Sequence, residues 1–186
     1  MSALAIFAVL GSMPMKTRAF IISLLMFVLA PVALAADSSR ALQSLKDART
    51  LDVSAKQFDP ASVQGRPVVV AFFASWCPPC IDEFEEMAKV QSSIGDKEVT
   101  FVGINLFEAW GGEKDLARMA RFIDRTRPNF ALVEGDHNIS AAFGSIDRIP
   151  TMVVFSADGD ETWRFVHERG ATKTHAIADE IMQALQ

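Results

Sequence analysis

The chain has 186 residues, and 50% of them are hydrophobic, which is enough for one domain with a sizeable buried core. Its 23 acidic and 18 basic residues give a net charge of −5 at pH 7. Proteins that bind nucleic acid need a basic surface to neutralise phosphates, so this balance argues against a nucleic-acid partner.

The N-terminal segment, residues 1–36, is strongly apolar and has the organisation of a targeting sequence. A basic pair, Lys16 and Arg18, precedes the apolar run Ala19–Leu29, and small residues follow at Ala33–Ala36. This order is typical of a secretory signal peptide. The apolar run is shorter than the roughly 20 residues that a membrane-spanning helix needs. We therefore predict a signal peptide here, with an uncleaved membrane anchor as the alternative.

The predicted mature domain covers residues 37–186 and carries 16 basic against 23 acidic residues, a net charge of −7. It contains both cysteines of the chain, Cys77 and Cys80. A single pair of cysteines three residues apart cannot cross-link distant parts of the chain, so the fold is not one stabilised by disulfide bonds. A zinc site would need two further ligands. The histidines, which lie far downstream without ligand spacing, are His137, His167 and His175. We expect neither a metal nor another cofactor.

The first half of the domain begins with a predicted helix over Ser39–Ala48 and an edge strand near Leu51–Val53. The continuous apolar run Val68–Phe73 predicts a strand buried on both faces, as in a parallel sheet. Acidic residues and an apolar stripe after Cys80 predict a helix. The cysteines therefore lie where a buried strand gives way to a helix.

The second half alternates in the same way. The predicted elements are a strand at Val99–Leu106, a helix that Gly111-Gly112 opens and Pro128 stops, a strand at Phe130–Val133 and a short helix at Ile139–Phe143. The hairpin Thr151–Phe155 and Thr162–His167 and a final amphipathic helix after Gly170 complete the chain. The expected core includes Leu116, Met119 and Ile123 and the indoles of Trp110 and Trp163. This order predicts an α/β fold with a mixed sheet.

The cysteine pair has the spacing that thiol–disulfide exchange requires. Such exchange needs a thiolate that attacks and a second thiol that resolves the mixed disulfide. Unpaired N–H groups and the helix dipole at a helix start stabilise a thiolate, so Cys77 is the predicted nucleophile and Cys80 the resolving thiol. Pro78 and Pro79 stiffen the turn. Trp76 is expected to shield the site while leaving one sulfur accessible.

A second feature lies far along the chain, where Ile149 and Pro150 immediately precede a predicted strand. A proline at this point is either a strand-edge proline or a cis one. A cis bond would present the backbone N–H and C=O of Ile149 to the extended chain of a protein substrate.

The run Phe72–Cys80, followed about 70 residues later by Ile149-Pro150-Thr151, resembles the thioredoxin superfamily. Within it, the chain is most similar to the TlpA/ResA type of bacterial envelope reductases. The resemblance implies a thioredoxin-like three-layer fold with a central mixed sheet and an insertion over Phe107–Pro128. It also implies that the Ile149–Pro150 bond is cis and packs beside Cys77.

The resemblance also draws attention to Glu83, three residues after Cys80, where the family often has a glutamate. The implied role is to tune a thiol pKa or to relay a proton. The alternative is that Glu83 is simply one of four acids in the first turns of a helix. Thioredoxins carry a buried aspartate at the position of Ala71 as proton acceptor for the resolving thiol, so Cys80 needs a different acceptor here.

Together these observations predict an exported thiol–disulfide oxidoreductase that reduces protein disulfides in the periplasm. Apocytochrome c is one expected substrate, a membrane reductase of the DsbD type is the expected electron donor, and membrane attachment is expected only if residues 1–36 stay uncleaved. Two alternatives stay open. One is a net oxidant of the DsbA sort, which would use the same residues. The other is a protein that presents Cys77 and Cys80 to Cu(I) as soft ligands.

Overall fold

The computed structural model describes residues 40–94, 98–110 and 112–186. All of them belong to one compact unit, Asp37–Gln186. The predicted signal peptide or anchor, residues 1–36, lies outside the described residues, so it stays a prediction. Within the described ranges, no helix has both the length and the apolar character that crossing a bilayer demands.

Five strands form a mixed sheet at the centre of the domain. They are β1 (Val68–Phe73), β2 (Thr100–Asn105), β3 (Ala131–Glu134), β4 (Thr151–Phe155) and β5 (Glu161–Val166). The spatial order is β3-β2-β1-β4-β5. Strands β1, β2 and β3 are parallel, whereas β4 pairs antiparallel with both β1 and β5. The predicted mixed α/β sheet is confirmed.

In the part of the chain that the structure describes, α-helices and 3₁₀ helices surround the sheet. The labelled α-helices are α1 (Pro78–Ile94), α2 (Leu116–Thr126), α3 (His137–Ala142) and α4 (Ala178–Ala184), and residues 40–43 are also α-helical. The 3₁₀ helices are Ser44–Asp47 and Pro60–Val63. The first of these ends a helical stretch that the sequence predicts over Ser39–Ala48.

Strand β1 is buried along its whole length because the sheet is covered on both faces. Successive side chains of a strand point to opposite faces. Val69, Ala71 and Phe73 accordingly join a cluster that also includes residues of α1, α2 and α4. The alternate residues Val68 and Val70 join a second cluster with α3 and the 3₁₀ helices. These two clusters produce the three layers that the resemblance implied.

The predicted edge strand at Leu51–Val53 is wrong. Thr50 makes one isolated antiparallel bridge with Val133, and the chain then turns away. Backbone hydrogen bonds in both directions hold this bridge, from Leu51 N to Leu132 O and from Glu134 N to Arg49 O, each at 2.8 Å. The segment around Thr50 is thus held at the edge of the sheet by one isolated β-bridge and does not form a strand.

Two side chains of the insertion that were expected in the core are exposed. Trp110 is 71% exposed and Leu116 is 78% exposed. Helix α2 begins only at Leu116, because the Asp115 carboxylate caps it by accepting the Arg118 N–H at 2.9 Å. The buried residues of α2 are Met119, Phe122 and Thr126. Trp163 and Ile123 are half-buried against the core, as predicted.

Candidate active site

The two cysteines lie at the carboxyl end of β1 and the start of α1. Cys77 is in the turn between these elements, and Cys80 is in the first turn of the helix. A disulfide bond joins them, with their Cα atoms 5.4 Å apart. Cys77 keeps 3% of its surface exposed, whereas Cys80 is completely buried. The order of accessibility therefore agrees with an attacking Cys77 and a resolving Cys80.

The start of α1 has few free backbone donors. The Cys77 N–H donates to Ala74 O at 3.1 Å, and the Cys80 N–H donates to Cys77 O at 3.2 Å. Pro78 and Pro79 have no N–H to offer. A thiolate at Cys77 would therefore depend mainly on the dipole of the helix, whose positive end faces the turn.

Glu83 is a fully buried carboxyl one helical turn after Cys80. Residues three apart on a helix lie on the same face, so Glu83 lies on the same face of α1 as Cys80. One carboxyl oxygen accepts the Ala176 N–H at 3.3 Å, and the other has no hydrogen-bond partner among the described residues. Burial raises the pKa of Glu83 to about 8, and the single backbone hydrogen bond only partly opposes this rise.

Glu86, one turn further along α1, shows how hydrogen-bond partners change the pKa of a carboxyl. Its Oε2 accepts the Ala178 N–H at 2.9 Å, and Lys89 Nζ lies 2.5 Å from its Oε1. Burial acts to raise the pKa of Glu86, but the bonds to Lys89 and Ala178 outweigh it and lower the pKa overall. Glu83 and Glu86 thus bind backbone N–H groups two residues apart at the start of α4, yet the pKa of Glu83 is raised and that of Glu86 is lowered.

Aromatic side chains lie next to the cysteine turn. The Trp76 indole Nε1–H donates to Phe107 O at 2.9 Å, which ties the turn to the insertion. The Trp76 and Trp110 rings are 6.2 Å apart, and Trp110 packs edge-on against Phe107 at 6.1 Å. Trp76 is half-buried and Trp110 exposed, so the cluster presents an apolar surface near Cys77.

A buried ionic network on the same side escaped the sequence analysis. Glu108, 6% exposed, accepts hydrogen bonds from Ser75 N at 2.8 Å, from Ser75 Oγ and from Asn105 Nδ2 at 2.9 Å. Arg118 of α2 lies 3.7 Å from its carboxylate and donates from Nε to Ser75 Oγ at 3.1 Å. The sequence could have indicated this network, because the carboxyl ends of parallel strands lie at the same edge of the sheet. Polar residues at and after the ends of β1 and β2 therefore become neighbours.

The Ile149–Pro150 peptide bond is cis, as the resemblance implied. Register pairs Thr151 of β4 with Phe72 of β1, which brings Pro150 to the end of β1 that leads into the cysteine turn. Pro150 O accepts the His167 N–H at 3.1 Å and so extends the β4–β5 ladder. A cavity of about 390 Å³ adjoins this loop; its lining residues are Asp147, Arg148, Ile149, His167 and Arg169.

A second cavity and the potential metal ligands lie apart from this site. The cavity, about 550 Å³, is lined by residues such as Leu42, Val63 and Gly159, and none of its lining residues belongs to the cysteine motif. Among the residues that the structure describes, no three side chains of His, Cys, Asp or Glu are grouped closely enough to hold a metal ion.

Known proteins resemble this chain in sequence. The Redoxin family model matches residues 39–182. The soluble secreted antigen MPT53 of Mycobacterium tuberculosis is 32% identical over 111 residues, which is 60% of this chain and 60% of that protein. The chain thus spans about 60% of the length of this relative. The thiol–disulfide oxidoreductase ResA of Halalkalibacterium halodurans is 25% identical over 136 residues, or 73% of this chain and 71% of ResA.

Solved structures show the same fold. A secreted Mycobacterium tuberculosis disulfide oxidoreductase, described as homologous to E. coli DsbE, superposes with a TM-score of 0.56 at 29% identity, covering 74% of this chain and 92% of that one. A thioredoxin-family thiol:disulfide interchange protein of Chlorobium tepidum gives 0.57 at 28% identity, covering 74% and 91%. The predicted resemblance is confirmed: the chain belongs to the Redoxin family and has a thioredoxin-like fold of the TlpA/ResA type.

Proposed function

We propose that this protein is an exported thiol–disulfide oxidoreductase that reduces disulfide bonds of other proteins in the bacterial envelope. The observation that carries the proposal is the Cys77–Cys80 disulfide at a strand-to-helix turn, with the buried carboxyl of Glu83 one helical turn beyond Cys80. The related proteins described as secreted, and those described as disulfide oxidoreductases, support both the activity and the export.

The proposed reaction begins with the dithiol form. The Cys77 thiolate attacks one sulfur of a substrate disulfide, a mixed disulfide forms, and the other substrate sulfur leaves as a thiolate. Cys80, once deprotonated, attacks the Cys77 sulfur. The intramolecular disulfide forms and the second substrate sulfur is released. Two electrons pass to the substrate, and the protein is left in the oxidised form that the structure describes.

Glu83 is the proposed proton acceptor for Cys80. Its pKa of about 8 is close to that of an ordinary thiol, about 8.5, so a proton can pass between the two groups at little free-energy cost. A pKa of about 8 leaves this carboxyl mostly protonated at neutral pH, so the proton is accepted by the ionised fraction, which grows as the pH approaches 8. Its second carboxyl oxygen, which has no partner among the described residues, is the proposed accepting atom. Ala71, at the place of the thioredoxin aspartate, is fully buried and cannot serve.

The surface around Cys77 favours a protein substrate over a small disulfide. The exposed Trp110 indole lies against the half-buried Trp76, which offers an apolar contact area close to the reacting sulfur. In addition, the backbone of Ile149 before cis Pro150 can pair with an extended chain, as Ile149 is only half-buried. These two features would hold the residues on either side of a substrate cysteine.

The cellular setting of the proposal follows from its chemistry. A reductant must be re-reduced after each cycle, so we propose a membrane reductase of the DsbD type as electron donor. The periplasm is the proposed location, and apocytochrome c thiols are one proposed substrate. The likeness to a neighbour described as homologous to E. coli DsbE is in keeping with this role.

Trapping of substrates tests the proposal. In a Cys80→Ser variant, Cys77 can attack but the mixed disulfide cannot be resolved, so envelope proteins should accumulate as adducts that thiol reductants release. The Cys77→Ser, Cys80→Ser double variant is the matched control and should trap nothing. Equal yields from both variants, or wild-type insulin reduction by a Cys77→Ser variant, would overturn the activity.

The direction of electron flow is tested by equilibration with glutathione buffers. A reductant should have a potential well below that of a strong oxidant such as DsbA, which is about −120 mV. A value above about −150 mV would instead make the protein a net oxidant of the DsbA sort.

A further inference from the structure

We propose that Glu108 is a positioning residue for the exchange reaction: its carboxylate clamps the segment before Cys77 to the insertion, so that Trp76 and Cys77 keep the orientation needed for attack. This inference rests on the proposed function. It assigns a role to a residue outside the cysteine motif and outside the helix that carries Glu83.

The first observation is the set of bonds that Glu108 makes. Two carboxyl oxygens receive three hydrogen bonds, two from Ser75 and one from Asn105, and Arg118 supplies the balancing charge. Burying a carboxylate is costly unless such partners are present. Two of the three donors belong to Ser75, a residue two positions before Cys77. Most of the hydrogen bonds that stabilise the buried carboxylate therefore come from the segment that leads into the cysteine turn.

The second observation is a parallel link one residue along both segments. Ser75 binds Glu108, and its neighbour Trp76 donates from the indole to the carbonyl of Phe107 at 2.9 Å. The residues 75–76 and 107–108 are therefore joined by two adjacent contacts. A loss of the Glu108 carboxylate should loosen the Trp76 indole bond as well, because the Phe107 carbonyl is held in place by the residue that follows it.

The third observation is the backbone of Phe107, whose φ of 62° lies in the left-handed region. A bulky residue other than glycine rarely adopts this conformation, and it persists only where the surroundings enforce it. The left-handed turn places the Phe107 carbonyl toward Trp76 and the Glu108 side chain toward Ser75. The left-handed backbone of Phe107 and the buried carboxylate of Glu108 thus both help to hold Trp76 beside Cys77.

Quenching is measured in the full chain with Trp110 and Trp163 replaced by phenylalanine, so that Trp76 is the only tryptophan left of three, and kinetics are measured in the chain that keeps all three. We expect Glu108→Ala to increase acrylamide quenching of Trp76 and to lower kcat for insulin reduction at least about tenfold, with little change in KM. Glu108→Gln keeps an oxygen for Ser75 N–H and should restore most of both properties. Glu113→Ala, an exposed glutamate in the same insertion, is the matched control and should change neither.

The outcomes separate a positioning role from a structural one. If Glu108→Ala lowers only the unfolding midpoint and leaves quenching and kcat as in the parent, the inference is overturned. A raised KM with unchanged kcat would also overturn it, because it would indicate substrate binding. Should the alanine variant fail to fold, Glu108→Asp withdraws the carboxylate by one methylene and should shift both measurements in the same direction.

The measurement of acrylamide quenching does not require the protein to be catalytically active. If the wild-type chain reduces no disulfide, the proposed function fails, yet Trp76 in the single-tryptophan chain still reports whether Glu108 positions the turn. If the parent is active and Glu108→Ala has normal quenching, only the positioning role fails.

Discussion

The buried carboxyl of Glu83 makes a quantitative prediction about stability. Its folded pKa is about 8, whereas an unfolded glutamate has a pKa of about 4.5. Between these values the folded state binds a proton that the unfolded state does not, so the free energy of unfolding must fall as the pH rises. The slope is about 1.4 kcal/mol per pH unit, which amounts to a loss of about 3 kcal/mol between pH 5 and pH 8.

A Glu83→Gln variant isolates this effect, because the amide has the same shape and does not titrate. Urea unfolding of the oxidised wild type and the variant, followed by tryptophan fluorescence, should show the variant gaining about 3 kcal/mol relative to the wild type from pH 5 to pH 8. All other titrating groups are common to both proteins and cancel in this difference.

Glu86→Gln is the matched control. The pKa of Glu86 is lowered in the folded state, so its ionised form stabilises the fold and that contribution is lost as the pH falls through the folded pKa. Its difference from the wild type should therefore show the opposite dependence, at acidic pH. Parallel pH profiles for wild type and Glu83→Gln would refute the reasoning, since they would mean that Glu83 is solvated or paired in the folded protein.

Three further predictions concern the surface and the scaffold. Trp110→Ala should raise KM for a protein disulfide about fivefold and leave a small disulfide unaffected, because only a large substrate reaches the exposed indole. Gly135→Ala should cost about 1–3 kcal/mol in urea unfolding, as a Cβ there would lie 2.9 Å from Asn105 O. Asp136→Ala should cost about 1 kcal/mol by removing the cap on Ile139 N–H, while Asp136→Asn should retain it, as thermal unfolding can show.

Two buried glutamates flank the cysteine turn, and their surroundings predict different properties. Glu108 accepts three hydrogen bonds and has a guanidinium nearby, which suits the positioning role proposed for it. Glu83 has one backbone donor and an unpartnered oxygen among the described residues, which suits a group that exchanges a proton near neutral pH. The two roles proposed for these glutamates therefore differ because the number of hydrogen-bond donors around each carboxyl differs.

Local pattern alone was sufficient to predict much of this fold. The apolar run of β1 has the bounds predicted, and the turn at Cys77 and the helix at Cys80 follow directly from it. Such features depend on residues close together in the chain, where strand burial and helix-start chemistry act over a few positions. The family resemblance predicted the cis bond before Pro150. The local sequence pattern alone was compatible with either a strand-edge proline or a cis proline.

Tertiary structure decided the electrostatics and the exposed surface of the site. The donor to Glu83 is Ala176, 93 residues away, and the donor that anchors Glu108 is Ser75, 33 residues away. Trp110 was predicted to be in the core and is exposed. Hydrophobicity alone cannot say which face of an insertion meets the sheet, and a carboxyl's pKa depends on the partners that folding brings to it. Sequence therefore located the two cysteines of the proposed exchange reaction, whereas packing determined the hydrogen-bond partners of the glutamates for which roles are proposed.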